Sequence, residues 1–198
     1  MKDTIERRLK EAVSVKQAIA NDRELISLVE KSAQACVKSL SEGGKVLFAG
    51  NGGSAADAQH LAAELSGRYY FDRKPLFGEA LHVNTSYLTA VANDYSYNEV
   101  YSRLVEAMGR PGDILFAIST SGNSQNILNA VETAKRLDMI SIGMTGMGGG
   151  LLGKKADMML KVPSSDTPRI QEGHILLGHI ICELIETAMF KNYSVQDN

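Results

Sequence analysis

"VLFAGNGGSAADAQHLAAELSGR", residues 46–68, compresses three kinds of local signal into one short stretch. Its opening five residues are apolar and β-prone. A glycine-rich turn follows at 50–53, and small and apolar residues then recur at helical spacing. The stretch therefore reads as a βα unit: strand, tight turn, helix. Further β-rich runs lie at 79–83 (EALHV), 113–119 (DILFAIS), 140–146 (ISIGMTG) and 157–162 (DMMLKV). Helical patterns at about 54–67, 97–108, 124–137 and 168–190 separate them. Alternating strands and helices predict an α/β, doubly wound, five-stranded parallel sheet of flavodoxin-like type. The strand runs lack strict alternation, as expected of strands covered on both faces.

Upstream, Ile5, Leu9 and Val13, then Leu25, Leu28, Val29, Ala33, Cys36 and Val37, predict two helices that break near Asn21-Asp22 and end at Gly43-Gly44. A chain of 198 residues suits one domain. We expect a helical pair over 1–42 and an α/β core over 43–198. The N-terminal helices and the last helix carry more apolar surface than such a sheet covers, which predicts that 1–42 serves in oligomerisation.

Net charge is −2, with 22% charged and 44% hydrophobic residues, so no global attraction to nucleic acid or anionic lipid is expected. No apolar run approaches the roughly 20 residues of a membrane span. The charged N-terminal stretch lacks the core of a signal peptide, and Cys36 and Cys182 read as buried, reduced thiols. A cytoplasmic location is expected.

Two βα junctions have the composition of phosphate cradles. In the first, Asn51, Gly52 and Gly53 precede Ser54, which reads as an N-cap with Asp57 completing a capping box. In the second, Ser119, Thr120, Ser121 and Ser124 surround Gly122. Free N–H groups at a helix start, with hydroxyls, can hold a phosphate without lysine. Each loop alone is equally an ordinary turn with its cap; the pair together points to phosphate.

His60 and Glu64 stand at i and i+4 on the helix that follows Ser54, a spacing that suits two ligands of one metal, or an acid and a base. Alone it is also the spacing of a solvent-facing pair. The last helix, with Thr167 and Pro168 read as N-cap and N1, adds Gln171, His174 and His179. Ile175, Ile180, Leu184, Ile185 and Met189 read as its core face, and His82 as a structural strand residue.

"GNGGSAADAQHLAAE", "AND" at 92–94, "ISTSGNS" and "RIQEGHILLGH" together resemble the sugar isomerase (SIS) domain family, and within it the bacterial phosphoheptose isomerases, along almost the whole chain. The resemblance implies an aldose–ketose isomerase that turns sedoheptulose 7-phosphate into glycero-manno-heptose 7-phosphate for surface glycans. It implies a cytoplasmic homotetramer with active sites between subunits and one zinc per subunit. It further implies substrate contacts from Asn51, Gly52, Gly53, Ser54, Glu64, Asn93, Asp94, Ser119, Thr120, Ser121, Ser124 and Gln171. The metal set it implies is His60, Glu64, Gln171 and His179, with Glu64 and His179 as the acid–base pair. Gln171 and His179 are eight residues apart, about 12 Å of helix rise, so the three side chains other than Gln171 form the firmer set. Two alternatives go with the resemblance: a non-catalytic SIS protein that binds the replication initiator, and an isomerase of a shorter sugar phosphate such as arabinose 5-phosphate. The presence of Glu64 and His179 favours catalysis.

Overall fold

The computed structural model describes residues 1–190. Two long helices, α1 (Lys2–Asn21) and α2 (Arg23–Ser41), meet at Asp22, whose carboxylate accepts from the Leu25 N–H and caps α2. Then come β1 (Val46–Gly50), α3 (Gly53–Ser66), β2 (Gly78–Ala80), α4 (Thr85–Asp94), α5 (Val100–Met108), β3 (Ile114–Ile118), α6 (Gln125–Arg136), β4 (Ile140–Gly146), β5 (Met158–Val162) and α7 (Thr167–Met189). The five strands are all parallel, in the order β2-β1-β3-β4-β5. This is the expected doubly wound sheet.

Alternate strand residues feed two cores. Val46 and Phe48 of β1 face α2, α3 and α7, with Phe48 stacked on its register partner Phe116 at 5.1 Å. Leu47 and Ala49 face α4, α5 and α6. Both sides of β1 and β3 are buried throughout, which is why their sequences read as unbroken apolar runs.

Several expectations are corrected. The run at 79–83 forms only a three-residue edge strand, and the chain leaves the sheet after Ala80, so His82 lies in a turn. Residues 85–94, to which the sequence pattern assigned no element, form α4, and the segment 97–108 begins as a 3-10 turn at Tyr97–Glu99 before α5. Helix α7 is capped at Asp166, one residue before Thr167. Its core face is Ile170, Leu177, Ile181, Cys182 and Ile185, whereas Ile180 and Leu184 are 37% and 40% exposed. The cysteines are free and buried as expected, and burial pushes the Cys182 thiol up to about 12. Only Ile19 of α1 is buried, and Ile5, Leu9 and Val13 form an exposed stripe. Among the described residues, no helix is long and apolar enough to cross a membrane.

Candidate functional site

The sheet order reverses between β1 and β3, and open α/β sheets bind ligands beyond the carboxyl ends of their strands at such a point. Both phosphate-competent loops emerge there, since Gly50 and Ile118 are register partners and Asn51 and Ser119 follow them. The loops are tied together. Asn51 Nδ2 donates to Asn126 Oδ1 (2.9 Å), Asn126 Nδ2 donates back to Asn51 Oδ1 (3.0 Å), and Tyr97 Oη adds a bond to Asn51 Oδ1 (3.1 Å). Sequence reading missed Asn126 and Tyr97. The available signal for Asn126 was an amide two residues after Ser124 at a serine-rich helix start; it ends up 3% exposed.

Helix α3 starts earlier than its sequence suggested. Gly52, at φ +57°, is the N-cap and makes a turn that favours glycine, and no side chain caps the helix. Ser54 is buried inside the first turn rather than capping it. Asp57 makes no capping bond either; its Oδ2 is buried without a partner, and burial pushes its carboxyl up to about 6. In the second loop, Ser124 is the N-cap of α6, but its hydroxyl pairs with the buried Ser119 hydroxyl (3.0 Å) instead of with the helix. Ser121 Oγ accepts from the Asn123 N–H (3.2 Å). The start of α6 is thus free of a side-chain cap and faces the crevice with hydroxyls around it. Asn93 and Asp94 end α4, exposed and bonded to each other at 2.8 Å.

Helices α3 and α7 run side by side. A Cβ on Gly178 would collide with the Leu61 side chain, so this glycine allows the close approach. The neighbours of that contact meet as a result: His60 Nε2 lies 2.9 Å from His179 Nε2 and 3.2 Å from Glu64 Oε1. The ligating atoms of all three lie within 4.8 Å of one another. Two imidazole nitrogens face to face must either share one proton or turn both lone pairs on a cation. Two imidazoles and a carboxylate with one side open match the donor set of a catalytic zinc site. The residues therefore fit a divalent metal.

Gln171 sits elsewhere. Its amide rests on Gly53, at the glycine turn, two helical turns from the triad in the same chain. His174 is fully buried, with neither ring nitrogen in hydrogen-bond geometry although the Thr145 main chain approaches it; burial lowers its imidazole to about 4.

A buried ion pair braces the site from behind, and sequence reading did not find it. Arg73 Nε donates to Glu186 Oε1 (2.9 Å), and the two side chains are 0% and 1% exposed. The guanidinium also donates to the carbonyls of Glu64 (2.8 Å) and Leu65 (2.7 Å), the otherwise unpaired end of α3. Glu186 accepts from the N–H groups of Tyr69 (2.9 Å) and Tyr70 (2.7 Å), and the Tyr69 ring lies 5.8 Å from that of His179.

Known proteins are similar to this chain in sequence and fold. The SIS domain family model matches residues 10–146. The phosphoheptose isomerase of Aneurinibacillus thermoaerophilus is 49% identical over 192 residues, covering 97% of each chain, and that of Burkholderia pseudomallei (strain 1710b) is 52% identical over 180 residues, covering 91% of each. Among solved structures, the phosphoheptose isomerase of Neisseria gonorrhoeae superimposes with a TM-score of 0.89 at 41% identity, covering 94% of this chain and 98% of that one. Family match, fold and full-length similarity agree: the chain belongs to the SIS domain family, in the branch of the phosphoheptose isomerases.

Proposed function

We infer that the protein is an aldose–ketose isomerase that converts sedoheptulose 7-phosphate to glycero-manno-heptose 7-phosphate, supplying heptose for surface-glycan synthesis. The observation that carries this reading is the meeting of His60, Glu64 and His179 on two helices beside the β1/β3 crevice, in a chain about half identical to phosphoheptose isomerases over nearly its full length.

The chemistry follows from the residues. Isomerisation removes a proton from C1 of the open-chain ketose, forms an enediol and returns a proton to C2, while the O1 proton passes to O2. Glu64, half-buried and set by α3, is the base at carbon. His179 carries the proton between the two oxygens; in the other direction Glu64 takes the proton from C2 and returns it to C1. His60, Glu64 and His179 would hold a divalent metal, for which we propose zinc, one per subunit. When bound, it supplies Lewis-acid stabilisation of negative charge on O1 and O2. Ser119, Thr120, Ser121 and Ser124 with the start of α6 grip the phosphate, which supplies orientation far from the reacting carbons. Asn51, Gly52, Gly53, Ser54 and Gln171 line the adjoining turn and contact the sugar, as do Asn93 and Asp94. Gln171 joins the metal set only through a bend in α7 or across a subunit boundary.

The exposed stripe of Ile5, Leu9 and Val13, together with an apolar groove of about 470 Å³ that includes Ile19, Leu177, Ile180 and Leu184, supports a homotetramer built on residues 1–42 and α7. The assignment includes a cytoplasmic location. The deciding experiment is an assay of purified protein with sedoheptulose 7-phosphate in deuterated water, read by proton NMR. Aldose formation with deuterium at C2 is expected, and an unchanged ketose spectrum would overturn the assignment.

A further inference from the structure

The geometry points to Arg73 and Glu186 as positioning residues that hold Glu64 and His179 in register with each other. The inference rests on the acid–base reading given above.

A fully buried ion pair costs desolvation that apolar residues of the same volume would avoid, so stability alone explains it poorly. What sets this pair apart is where its hydrogen bonds go. Arg73 binds the carbonyl of Glu64 itself and those of Leu65 and Gly67, fixing the last turn of α3. Glu186 lies on α7, seven residues and about two turns beyond His179 on the same face. Its carboxylate holds the Tyr69 and Tyr70 N–H groups, and Tyr69 returns to lay its ring beside His179. The circuit therefore runs from Glu64 through Arg73 and Glu186 to Tyr69 and back to His179. Arg73 is confined further by the Lys74 carbonyl (3.1 Å) and the Phe190 ring (5.6 Å). A planar guanidinium is needed to reach this many acceptors in fixed directions, and an ammonium has only three donors at one point.

The test uses Arg73→Lys and Glu186→Gln in the full chain, each also in a Tyr69→Trp background. The chain has no tryptophan, so that indole is a lone reporter beside His179. In Arg73→Lys we expect kcat to fall about 10- to 100-fold with KM changed less than about twofold, the range for outer residues that orient site ligands. The indole emission should move to the red and its acrylamide quenching rise, with circular dichroism and elution volume unchanged. Glu186→Gln should act in the same direction and more strongly, because it leaves the guanidinium charge unpaired. Wild-type kcat and emission in Arg73→Lys would overturn the inference, as would loss of cooperative unfolding in both variants, which would make the pair a folding element only. If the wild-type chain turns over no sugar phosphate, the enzyme assignment fails by itself, and the indole signal still decides whether the pair positions Tyr69 at His179.

Discussion

His60 and His179, 119 residues apart in sequence, face each other Nε2 to Nε2 at 2.9 Å, with the Glu64 carboxylate 3.2 Å from the first of them. Whether that contact is a shared proton or two ligands of one ion can be read directly. Purified protein should carry about one zinc per chain, and His60→Ala should lose it while keeping its circular dichroism. Elemental analysis of both proteins after gel filtration is the check. Equal metal content would remove His60 from the ligand set.

Glu64→Gln keeps the shape of the side chain and removes its basicity. Turnover should drop about 10²- to 10⁴-fold, the span of a lost general base, with substrate affinity nearly intact. Isothermal titration beside the NMR assay separates the two. Unchanged turnover would exclude Glu64 as the base.

Ser121→Ala with Ser124→Ala removes two of the hydroxyls around the free start of α6. KM should rise by more than kcat falls, since the phosphate is bound equally in ground and transition states. Inorganic phosphate should also inhibit less well in the double variant. A loss confined to kcat would count against phosphate contact.

Gly178→Ala puts a methyl group against Leu61 where α3 and α7 touch. Overpacking of this kind costs about 1–3 kcal/mol. The urea midpoint should fall, and metal affinity should weaken as the two histidines separate. An unchanged midpoint together with full metal content would show that the helices can part without disturbing the site.

His174 gives a pH signature. Burial holds its imidazole at about 4, below its ordinary value near 6.5, so the unfolded chain binds a proton that the folded chain refuses between those pH values. Its effect on stability is therefore nil above 6.5 and unfavourable as pH falls toward 4, by up to about 3 kcal/mol. His174→Leu should flatten the urea midpoint across this window. Equal slopes in the two proteins would contradict the assignment.

Much of this was legible before any coordinates. The runs of β1, β3, β4 and β5 and the bounds of α6 and α7 stood out because glycine or polar turns punctuate them, and the His60–Glu64 pair because helical spacing is local. Helix α4 went unread although Tyr87, Leu88, Val91 and Ala92 recur at helical spacing and pack on one core, and Asn84 caps it by accepting from Tyr87; at ten residues the pattern spans less than three turns and ends without a glycine or proline. The edge strand β2 looked longer than it is because Leu81 remains buried after the chain turns away. Ile180 and Leu184 read as core because helical spacing does not say which apolar face meets the sheet. Arg73 and Glu186 were invisible for a different reason. Arg73 sits in a charged loop and Glu186 on a largely apolar helix, where a charge reads as solvent-facing, and only the 113-residue return of the chain brings them together out of water.

In the tetramer proposed above, the bare stripe of Ile5, Leu9 and Val13 would tie the enzyme's fate to how much of it is present. A protomer of that assembly would stay sticky until it found its siblings, and a steep power of concentration would set how soon that happened. Diluted far enough, the preparation should go quiet over time and recover when concentrated, without any change in a single covalent bond.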